Sequence, residues 1–309
     1  MLTAQTAPLT FVVLTRNEEK NLVPCLESVY GWVKEIILVD SGSTDSTLEI
    51  AERFGARIVA HEFESHSKQW NWALKNLEIT TDWVLGLDAD QRVTPELQKE
   101  LIEFLNVPES NGDTVGCFIK RRQVFRGKWI KHGGYYPKYL LKMFRLSNVR
   151  VDEGDLVDHH FRVDGKTVKL QHDIIEDNKN EADISVWIAK HNRYAALQAI
   201  EENRNATGPE NSETRASFWG TPDEKVLWQK NLWRHLPLYA RPFIYFGHRY
   251  FVRLGFLDGK EGFIFHFLQA FWYRLLVDIK LDELRSGKLI ESEKSEARST
   301  KAKQISNKA

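Results

Sequence analysis

The feature that most constrains the fold is a regular alternation of short apolar runs and helical patterns over the first 90 residues. Four runs have the length and composition of buried strands: Phe11–Leu14, Glu35–Val39, Arg57–Ala60 and Trp83–Leu87. Strands that alternate with helices in this way form parallel sheets joined by right-handed crossovers. The sequence therefore predicts an α/β fold with a doubly wound, mostly parallel sheet.

Bulk composition excludes several classes of protein. The 309 residues carry 43 basic and 43 acidic side chains, so no overall positive field favours nucleic acid as a partner. Two cysteines, Cys25 and Cys117, are too few for a disulfide framework and lack the spacing of a zinc ribbon. We expect a cytoplasmic location, because the sequence shows neither a secretory signal nor an apolar run of the roughly 18 to 20 residues that span a bilayer.

Three clusters of polar residues stand directly after predicted strands. They are Thr15-Arg16-Asn17-Glu18, Asp40-Ser41-Gly42-Ser43 and Asp88-Ala89-Asp90. Ligands of open α/β sheets bind at the carboxyl ends of the strands, so we expect these clusters to face one crevice. A carboxylate buried at such a strand end needs a hydrogen-bond donor or a cation as its partner.

The second cluster has the composition of a nucleotide-binding turn. Asp40 suits hydrogen bonds from a nucleobase or a ribose. Gly42 permits a tight turn in which the amides of Ser41 and Ser43 face a ligand. A turn that only caps the next helix is the alternative interpretation.

The third cluster has the composition of a metal site. Asp88 and Asp90 can present oxygens to one hard cation, with help from phosphate oxygens. The cation would neutralise charge that builds on a departing diphosphate. Lys68, upstream of this strand, would add a point charge to the same phosphates. A solvated acidic loop is the alternative.

Longer stretches around these clusters match one known family. They are Phe11–Leu22 (FVVLTRNEEKNL), Ile37–Thr47 (ILVDSGSTDST), Lys68–Leu74 (KQWNWAL), Trp83–Asp90 (WVLGLDAD), Lys190–Ala195 (KHNRYA) and Gly255–Gly259 (GFLDG). Over roughly residues 8–285 the chain resembles glycosyltransferase family 2, in the branch of bacterial lipopolysaccharide-core β-glucosyltransferases. The resemblance implies a GT-A fold, an inverting reaction and Mn²⁺ or Mg²⁺ held chiefly by Asp90. It also implies nucleotide contacts from Thr15, Arg16, Asn17, Glu18 and Asp40.

At the expected catalytic base the chain departs from the pattern of the branch. Inverting transfer requires a group that deprotonates the acceptor hydroxyl. The branch has a Val-His-Glu run with the glutamate as base, whereas the corresponding run here is Val157-Asp158-His159-His160. Asp158 is one candidate for the base, and His159 and Glu153 are the others. Alternatively, the run has only a structural role, as a capped turn that leads into a hairpin.

A later histidine of the branch is also absent, and Glu176 stands near its place. We consider His172 and Glu176 as further groups of the metal or diphosphate site, with a surface role as the alternative for each.

A basic and aromatic segment follows the metal strand. It contains Arg121-Arg122, Arg126-Gly127-Lys128-Trp129 and His132-Gly133-Gly134-Tyr135. Such a segment suits an acceptor loop that handles phosphorylated sugars, and a solvated edge strand is the alternative.

The C-terminal third is rich in aromatic residues. Between Trp228 and Arg274 there are fifteen aromatic side chains, and seven basic residues oppose two acidic ones. Aromatic side chains interspersed with basic ones are typical of segments that bind at the headgroup level of an anionic membrane. We therefore expect peripheral attachment to the inner face of the plasma membrane. Helices packed on the catalytic domain or on a dimer partner are the alternative.

These patterns predict three parts. Residues 1–204 form a nucleotide-sugar-binding and catalytic GT-A domain, 205–285 a helical and membrane-associating region, and 286–309 a disordered tail. The leading hypothesis is transfer of a hexose from a nucleotide-diphosphate sugar to a cell-envelope glycan such as lipopolysaccharide core. An acceptor on exopolysaccharide or a polyprenyl-linked glycan is the second hypothesis, and a nucleotide-sugar-binding scaffold without turnover is the third.

Overall fold

The computed structural model describes residues 6–107, 112–151, 160–207 and 236–287. The chain divides into two compact units. The first comprises Met1–Trp187 and Arg253–Phe263, and the second comprises Ile188–Val252 and Ile264–Ala309. The predicted three-part division, with boundaries after residues 204 and 285, stays a prediction.

The first unit is built on one large sheet. Its described strands are β1 (Ala7–Thr15), β2 (Val33–Asp40), β3 (Arg57–Ala60), β4 (Trp83–Asp88), β5 (Gln91–Val93), β6 (Thr114–Phe125), β7 (Lys128–Trp129), β8 (Lys138–Arg145) and β11 (Lys166–Glu176). Two short strands, β9 (Val149–Val151) and β10 (Phe161–Val163), form a separate antiparallel pair. Four helices of this unit are α1 (Glu19–Glu27), α2 (Thr47–Arg53), α3 (His66–Asn76) and α4 (Pro95–Asn106).

The strand order of the large sheet is β3-β2-β1-β4-β8-β6-β11-β5, with β7 attached to β6. The first four strands in this order run parallel to one another, because a helix follows each of β1, β2 and β3 and returns the chain. β8 is antiparallel to both of its neighbours, whereas β11 runs parallel to β6. The predicted α/β architecture of GT-A type is confirmed, with a mixed sheet beyond β4.

The two faces of the sheet bury separate apolar cores. Leu22, Leu26, Leu97 and Leu101 pack with one face of β1 and β4. On the other face, Trp70 packs with residues that include Val12, Val84 and Phe161. The central strands are therefore apolar on both faces, as parallel strands buried between helices require.

Two helix starts of the first unit differ in their capping. Thr94 caps α4, since its hydroxyl accepts the N–H of Leu97 at 3.3 Å and Pro95 opens the helix. Ser46 precedes α2 but makes no capping bond with its side chain. Instead, the carboxylate of Asp45 accepts the N–H of Thr47 at 3.0 Å.

The described residues of the second unit are mainly helical. Among the described residues from 184 onward, the helical segments are α5 (Ile184–Thr207), α6 (Arg241–Gly247), α7 (Gly259–His266) and α8 (Tyr273–Arg285), with π-helical turns at His248–Val252 and Phe267–Trp272 and a 3-10 turn at Gly255–Asp258. Of these, the 3-10 turn and the start of α7 belong to the first unit. Ala195, Ala199, Tyr273, Val277 and Leu281 form the buried core of the second unit.

A buried ion pair joins two helices of the second unit. Arg241 of α6 binds Asp278 of α8, and both side chains are buried. The predicted helical character of the C-terminal region is confirmed for the residues that the structure describes. Among those residues, none of the helices combines the length and apolarity needed to cross a membrane.

Gly86 in β4 tests the packing that positions the end of this strand. A Cβ atom at Gly86 would lie 3.0 Å from ring atoms of both Trp70 and Phe161. We expect Gly86→Val to lower the free energy of unfolding by about 1–3 kcal/mol, because it overpacks a filled core. Urea denaturation measures the change. Gly247→Ala is the control, because a Cβ there meets nothing within 4 Å; unchanged stability in Gly86→Val would contradict the packing described.

Candidate functional site

The carboxyl ends of three parallel strands meet at one edge of the sheet. Thr15 of β1 is paired in register with Asp40 of β2, and Leu14 is paired with Asp88 of β4. Because β1 lies between β2 and β4, and adjacent strands are about 4.8 Å apart, the backbones of Asp40 and Asp88 are about 10 Å apart. The strand-end clusters therefore share one edge, as the crevice predicted from the sequence requires.

Asp40 organises the loop that follows β2. Its Oδ2 accepts the N–H groups of Gly42 at 2.9 Å and Ser43 at 2.8 Å. Its Oδ1 accepts the hydroxyl groups of Thr15, at 3.0 Å, and Ser43. The Asp40 residue is only 4% exposed, and these four donors fill the acceptor positions of a carboxylate. The prediction that Asp40 itself binds the nucleotide stays a prediction, and the structure shows that it holds the loop.

The loops after β1 and β2 are joined to each other. Asn17, at φ +57°, donates its N–H to Ser43 Oγ and accepts the N–H of Thr44 on its Oδ1 at 2.8 Å. Gly42 also has a positive φ, +82°, which favours glycine at this turn. Arg16 is exposed beside Asn17, and Ser41 Oγ accepts the side-chain amide of Gln69 at 3.1 Å. The two loops thus form one rim above the strand ends.

Two asparagines after β11 complete this rim, and sequence reasoning missed them. Asn180 donates its side-chain amide to the backbone oxygen of Asn17 at 3.1 Å and to Glu18 Oε2 at 3.0 Å. Asn178 accepts the side-chain amide of Asn21 at 3.1 Å. The polar run Asp177-Asn178-Lys179-Asn180 directly after a strand was the available signal.

Three carboxylates form a candidate metal centre. Asp88, Asp90 and Glu176 each offer an oxygen, and these oxygens lie within 4.8 Å of one another. Ligand oxygens on opposite sides of one Mg²⁺ lie about 4.2 Å apart, given metal–oxygen distances of about 2.1 Å. Neighbouring ligand oxygens of an octahedral cation lie only about 3.0 Å apart, so the cluster would hold such a cation after side-chain movements of up to about 2 Å. Carboxylates are also the ligand type that Mg²⁺ and Mn²⁺ prefer.

Two basic side chains from other strands bind these carboxylates. Lys142 of β8 is 5% exposed and places Nζ 2.9 Å from Asp88 Oδ2. Arg121 of β6 lies 3.1 Å from Glu176 Oε2. Lys142 was not predicted, although a lysine inside the apolar run Tyr139–Phe144 is a signal of a buried charge that needs a partner.

The other predicted site residues lie elsewhere or outside the described residues. Of the two residues considered for the metal shell, Glu176 belongs to the cluster, whereas His172 pairs with Glu100 at 2.8 Å. Lys68, near the start of α3, pairs with Glu64 at 2.6 Å on an exposed surface. The three candidate bases, Glu153, Asp158 and His159, lie outside the described residues.

Cys25 lies directly behind the carboxylates. Burial, followed by the charges of Asp90, Asp88 and Glu18, raises the pKa of its thiol far above the ordinary value. Its Sγ is 3.9 Å from the backbone oxygen of Asp88. Its proton therefore stays on the thiol, which points at the backbone oxygen of Asp88.

Comparison with known proteins identifies relatives of this chain. The family model described as Glycosyl transferase family 2 matches residues 10–163. An uncharacterized glycosyltransferase of Rickettsia typhi is 28% identical over 89% of this chain and 86% of its own length. The lipopolysaccharide core biosynthesis glycosyltransferase LpsC of Rhizobium meliloti is 25% identical over 85% of this chain and 90% of its own. The mannosyltransferase PcManGT from Pyrobaculum calidifontis, solved with GDP-Man and Mn²⁺, aligns over 89% of this chain and 87% of its own, with 15% identity and a TM-score of 0.49.

Asp40→Asn tests the assignment of Asp40 as the organiser of the loop. The amide nitrogen cannot accept the hydrogen bonds that one carboxylate oxygen receives. We expect the free energy of unfolding without ligand to fall by about 1–3 kcal/mol, since buried donors lose their acceptor. Chemical denaturation measures this change. Asp82→Asn, at a side chain that is 88% exposed, is the matched control and is expected to change stability by less than about 0.5 kcal/mol; equal effects would refute the assignment.

Proposed function

The chain belongs to glycosyltransferase family 2, and on that premise we propose that it transfers a hexose from a nucleotide-diphosphate sugar to a cell-envelope glycan such as lipopolysaccharide core, with inversion. One observation carries the proposal. Asp88, Asp90 and Glu176 converge at the strand ends beside a loop held by Asp40. The similarity to a relative named for lipopolysaccharide core biosynthesis supports the class of acceptor.

We assign Asp88, Asp90 and Glu176 as the groups that hold Mn²⁺ or Mg²⁺. When bound, the cation would supply Lewis-acid stabilisation of the departing diphosphate. Lys142 and Arg121 fix the orientation of two of these carboxylates. The rim made by the loops after β1 and β2 would receive the nucleotide, with Thr15, Arg16, Asn17, Glu18, Asp40, Ser41, Gly42 and Lys68 as the proposed contacts.

Inversion needs a base on the side of the sugar opposite to the diphosphate. We keep Asp158 as the first candidate to remove the proton of the acceptor hydroxyl, with His159 and Glu153 as alternatives. The segment that carries them follows β9 and precedes β10, and β9 lies against α3 through the bond from Asn71 Nδ2 to the backbone oxygen of Val151 at 3.0 Å. That contact holds Val151, the last residue of β9, against the helix that carries Lys68.

Two other functions use the same site. A glycan acceptor on exopolysaccharide or a polyprenyl-linked precursor requires the same donor chemistry and differs only in the acceptor. A nucleotide-sugar-binding scaffold would bind the donor without turnover. Hydrolysis of the donor in the presence of Mn²⁺ separates the enzyme from the scaffold.

A thermal-shift screen of nucleoside diphosphates and their sugars tests the donor site. At a ligand concentration about 100 times Kd, binding stabilises the folded state by about 2.7 kcal/mol. That value corresponds to a rise in Tm of about 4 °C for a chain of this size. We expect one nucleotide to give this shift with Mn²⁺, and Asp90→Ala to lose the part of the shift that depends on Mn²⁺.

Asp82→Ala is the control for this screen, because Asp82 lies outside the cluster and is 88% exposed. It should keep the full shift. The absence of a shift with every nucleotide, or an unchanged Mn²⁺ response in Asp90→Ala, would contradict the proposed site.

We further propose that the C-terminal region attaches the protein to an anionic membrane surface. Within the second unit, large apolar side chains are exposed at Phe243 (63%), Phe251 (61%) and Val252 (69%), and Arg249 lies in the same segment. Within the first unit, Leu257 is 55% exposed in the segment that also carries Lys260. Apolar tips next to basic residues suit insertion at the level of lipid headgroups.

Cosedimentation with vesicles tests this attachment. We expect binding to vesicles that contain phosphatidylglycerol, weaker binding to pure phosphatidylcholine, and a decrease at high salt because screening weakens attraction to the lipids. Phe251→Ser should reduce binding several-fold, since it removes an inserting side chain. Phe63→Ser, at a partly exposed site in the first unit, is the matched control. Equal binding to both kinds of vesicle, or no effect of Phe251→Ser, would argue against the proposal.

A further inference from the structure

A second group of charged side chains lies on β6, β11 and the loop between β7 and β8. Its centre is Asp173, which is 3% exposed. The carboxylate of Asp173 binds Arg122 at 2.7 Å and the hydroxyl of Tyr136 at 3.0 Å, and Lys120 lies 3.8 Å away. Burial, followed by the hydrogen bond to Asp173, raises the pKa of Tyr136, so the phenol stays a donor. One buried carboxylate thus fixes three donors.

An indole ring aligns the cations of this group. Arg122 lies 4.9 Å from the ring centroid of Trp129, and Lys131 lies 5.4 Å from it. Tyr136 packs edge-on against the same ring, with the centroids 5.0 Å apart. Cation–π contacts of this kind hold a charged side chain without neutralising it. The ring therefore orders positive charge at a half-buried position.

The group carries an excess of positive charge. Lys120 and Arg122 share a single carboxylate, that of Asp173, and Lys131 lies with Arg122 against the ring of Trp129. Lys131 has no carboxylate partner in the part of the chain that the structure describes. In addition, the buried Nε1 of Trp129 makes no hydrogen bond to any described residue. The cations are held in place and outnumber the carboxylate that two of them share, and the indole N–H beside them lacks an acceptor among the described residues. Such a group can bind an anion whose oxygens accept hydrogen bonds.

The loop that carries Lys131 is fixed in place by a segment of the first unit. His132 donates its backbone N–H to Asp258 Oδ2 at 2.8 Å, and its Nδ1 lies 2.7 Å from Asp258 Oδ1. The next residue, Gly133, donates its N–H to the backbone oxygen of Arg253 at 2.9 Å. Asp258 is 3% exposed, so the anchor is buried. The loop is therefore preorganised, which lowers the entropic cost of binding a ligand.

The group also lies close to the candidate metal centre. Asp173 and Glu176 belong to the same strand, and three residues of strand span about 10 Å. Arg121 and Arg122 are consecutive in β6; one reaches Glu176 and the other reaches Asp173. Consecutive strand residues point to opposite faces. The group thus lies about 10 Å along β11 from Glu176 and on the opposite face of the strand.

We propose that Lys120, Arg122, Lys131 and Trp129 bind an anionic substituent, a phosphate or a carboxylate, on the acceptor glycan. The proposal rests on the proposed glycosyltransferase function and adds to it the chemical class of the acceptor. It assigns Arg122 and Lys131 to recognition of the acceptor, whereas Arg121 and Lys142 belong to the metal centre.

Titration of the full chain with mannose 6-phosphate, glucuronate and neutral mannose tests the proposal. Saturation-transfer NMR without nucleotide or Mn²⁺ measures binding. We expect binding of one or both anionic sugars and none of mannose, and a decrease as salt rises. Binding of mannose 6-phosphate would indicate a site for phosphate, and binding of glucuronate would indicate a site for carboxylate. Mannose that binds as tightly as the anionic sugars would overturn the proposal.

Two variants locate the binding. Lys131→Gln and Arg122→Gln should each weaken binding of the anionic sugar about fivefold or more, since each loses a charge-assisted contact. Lys131 is exposed and lacks an ion pair with any described residue, so its replacement is not expected to disturb folding. The matched control is Lys34→Gln, at an exposed lysine near the amino end of β2. Unchanged affinity in Lys131→Gln, or an equal loss in Lys34→Gln, would overturn the proposal.

Asp90→Ala separates failure of this proposal from failure of the proposed function. The variant should lose its Mn²⁺-dependent response to nucleotide and still bind the anionic sugar as the wild type does. If no nucleotide binds the wild type while Lys131-dependent binding of the sugar persists, the donor assignment is wrong and the anion site stands. If nucleotide and Mn²⁺ bind but no anionic sugar does, the anion site is wrong and the donor assignment stands.

Discussion

Repulsion among three carboxylates governs the structure at the carboxyl edge of the sheet. The oxygens of Asp88, Asp90 and Glu176 lie within 4.8 Å of one another, and like charges at this distance repel by several kcal/mol when partly buried. Lys142 and Arg121 offset two of the three charges. One negative charge remains, and a divalent cation would offset it. The strands β4, β6, β8 and β11 are thus tied together by the charges of one site.

The sequence predicts the parts of this site that lie directly after strands. The first four strands, the ends of β1, β2 and β4, and the carboxylates Asp40, Asp88 and Asp90 all follow from short-range patterns. Asp40 shows the limit of that reasoning. The sequence predicted that Asp40 is buried and that a polar turn follows it, but it did not predict which four groups donate hydrogen bonds to its carboxylate. Which atoms fill the acceptor positions of a carboxylate depends on the path of the loop, and the type of residue does not determine that path.

The remaining parts of the site depend on strand register. Lys142 and Arg121 lie within β8 and β6, and Glu176, already considered for the metal site from the sequence, lies at the end of β11; the pattern of each strand does not show that the three side chains meet. They meet Asp88 only because β8 runs antiparallel between β4 and β6, and because β11 runs parallel to β6. A shift of one residue in any of these pairings would move the side chains to the other face. Pairings between strands distant in sequence were not available from the pattern of one chain.

β11 explains how one sheet can serve two ligands. Its last residues alternate between the faces, so Glu176 joins the metal centre while Asp173 organises Arg122, Lys120 and Tyr136. In the first group carboxylates outnumber cations, and in the second cations outnumber carboxylates. Opposite excess charge on the two faces of one strand favours a cation on one side and an anion on the other. The same strand would then fix the distance between the diphosphate that departs and the acceptor that arrives, since a strand paired with neighbours on both sides is among the stiffest elements in a fold.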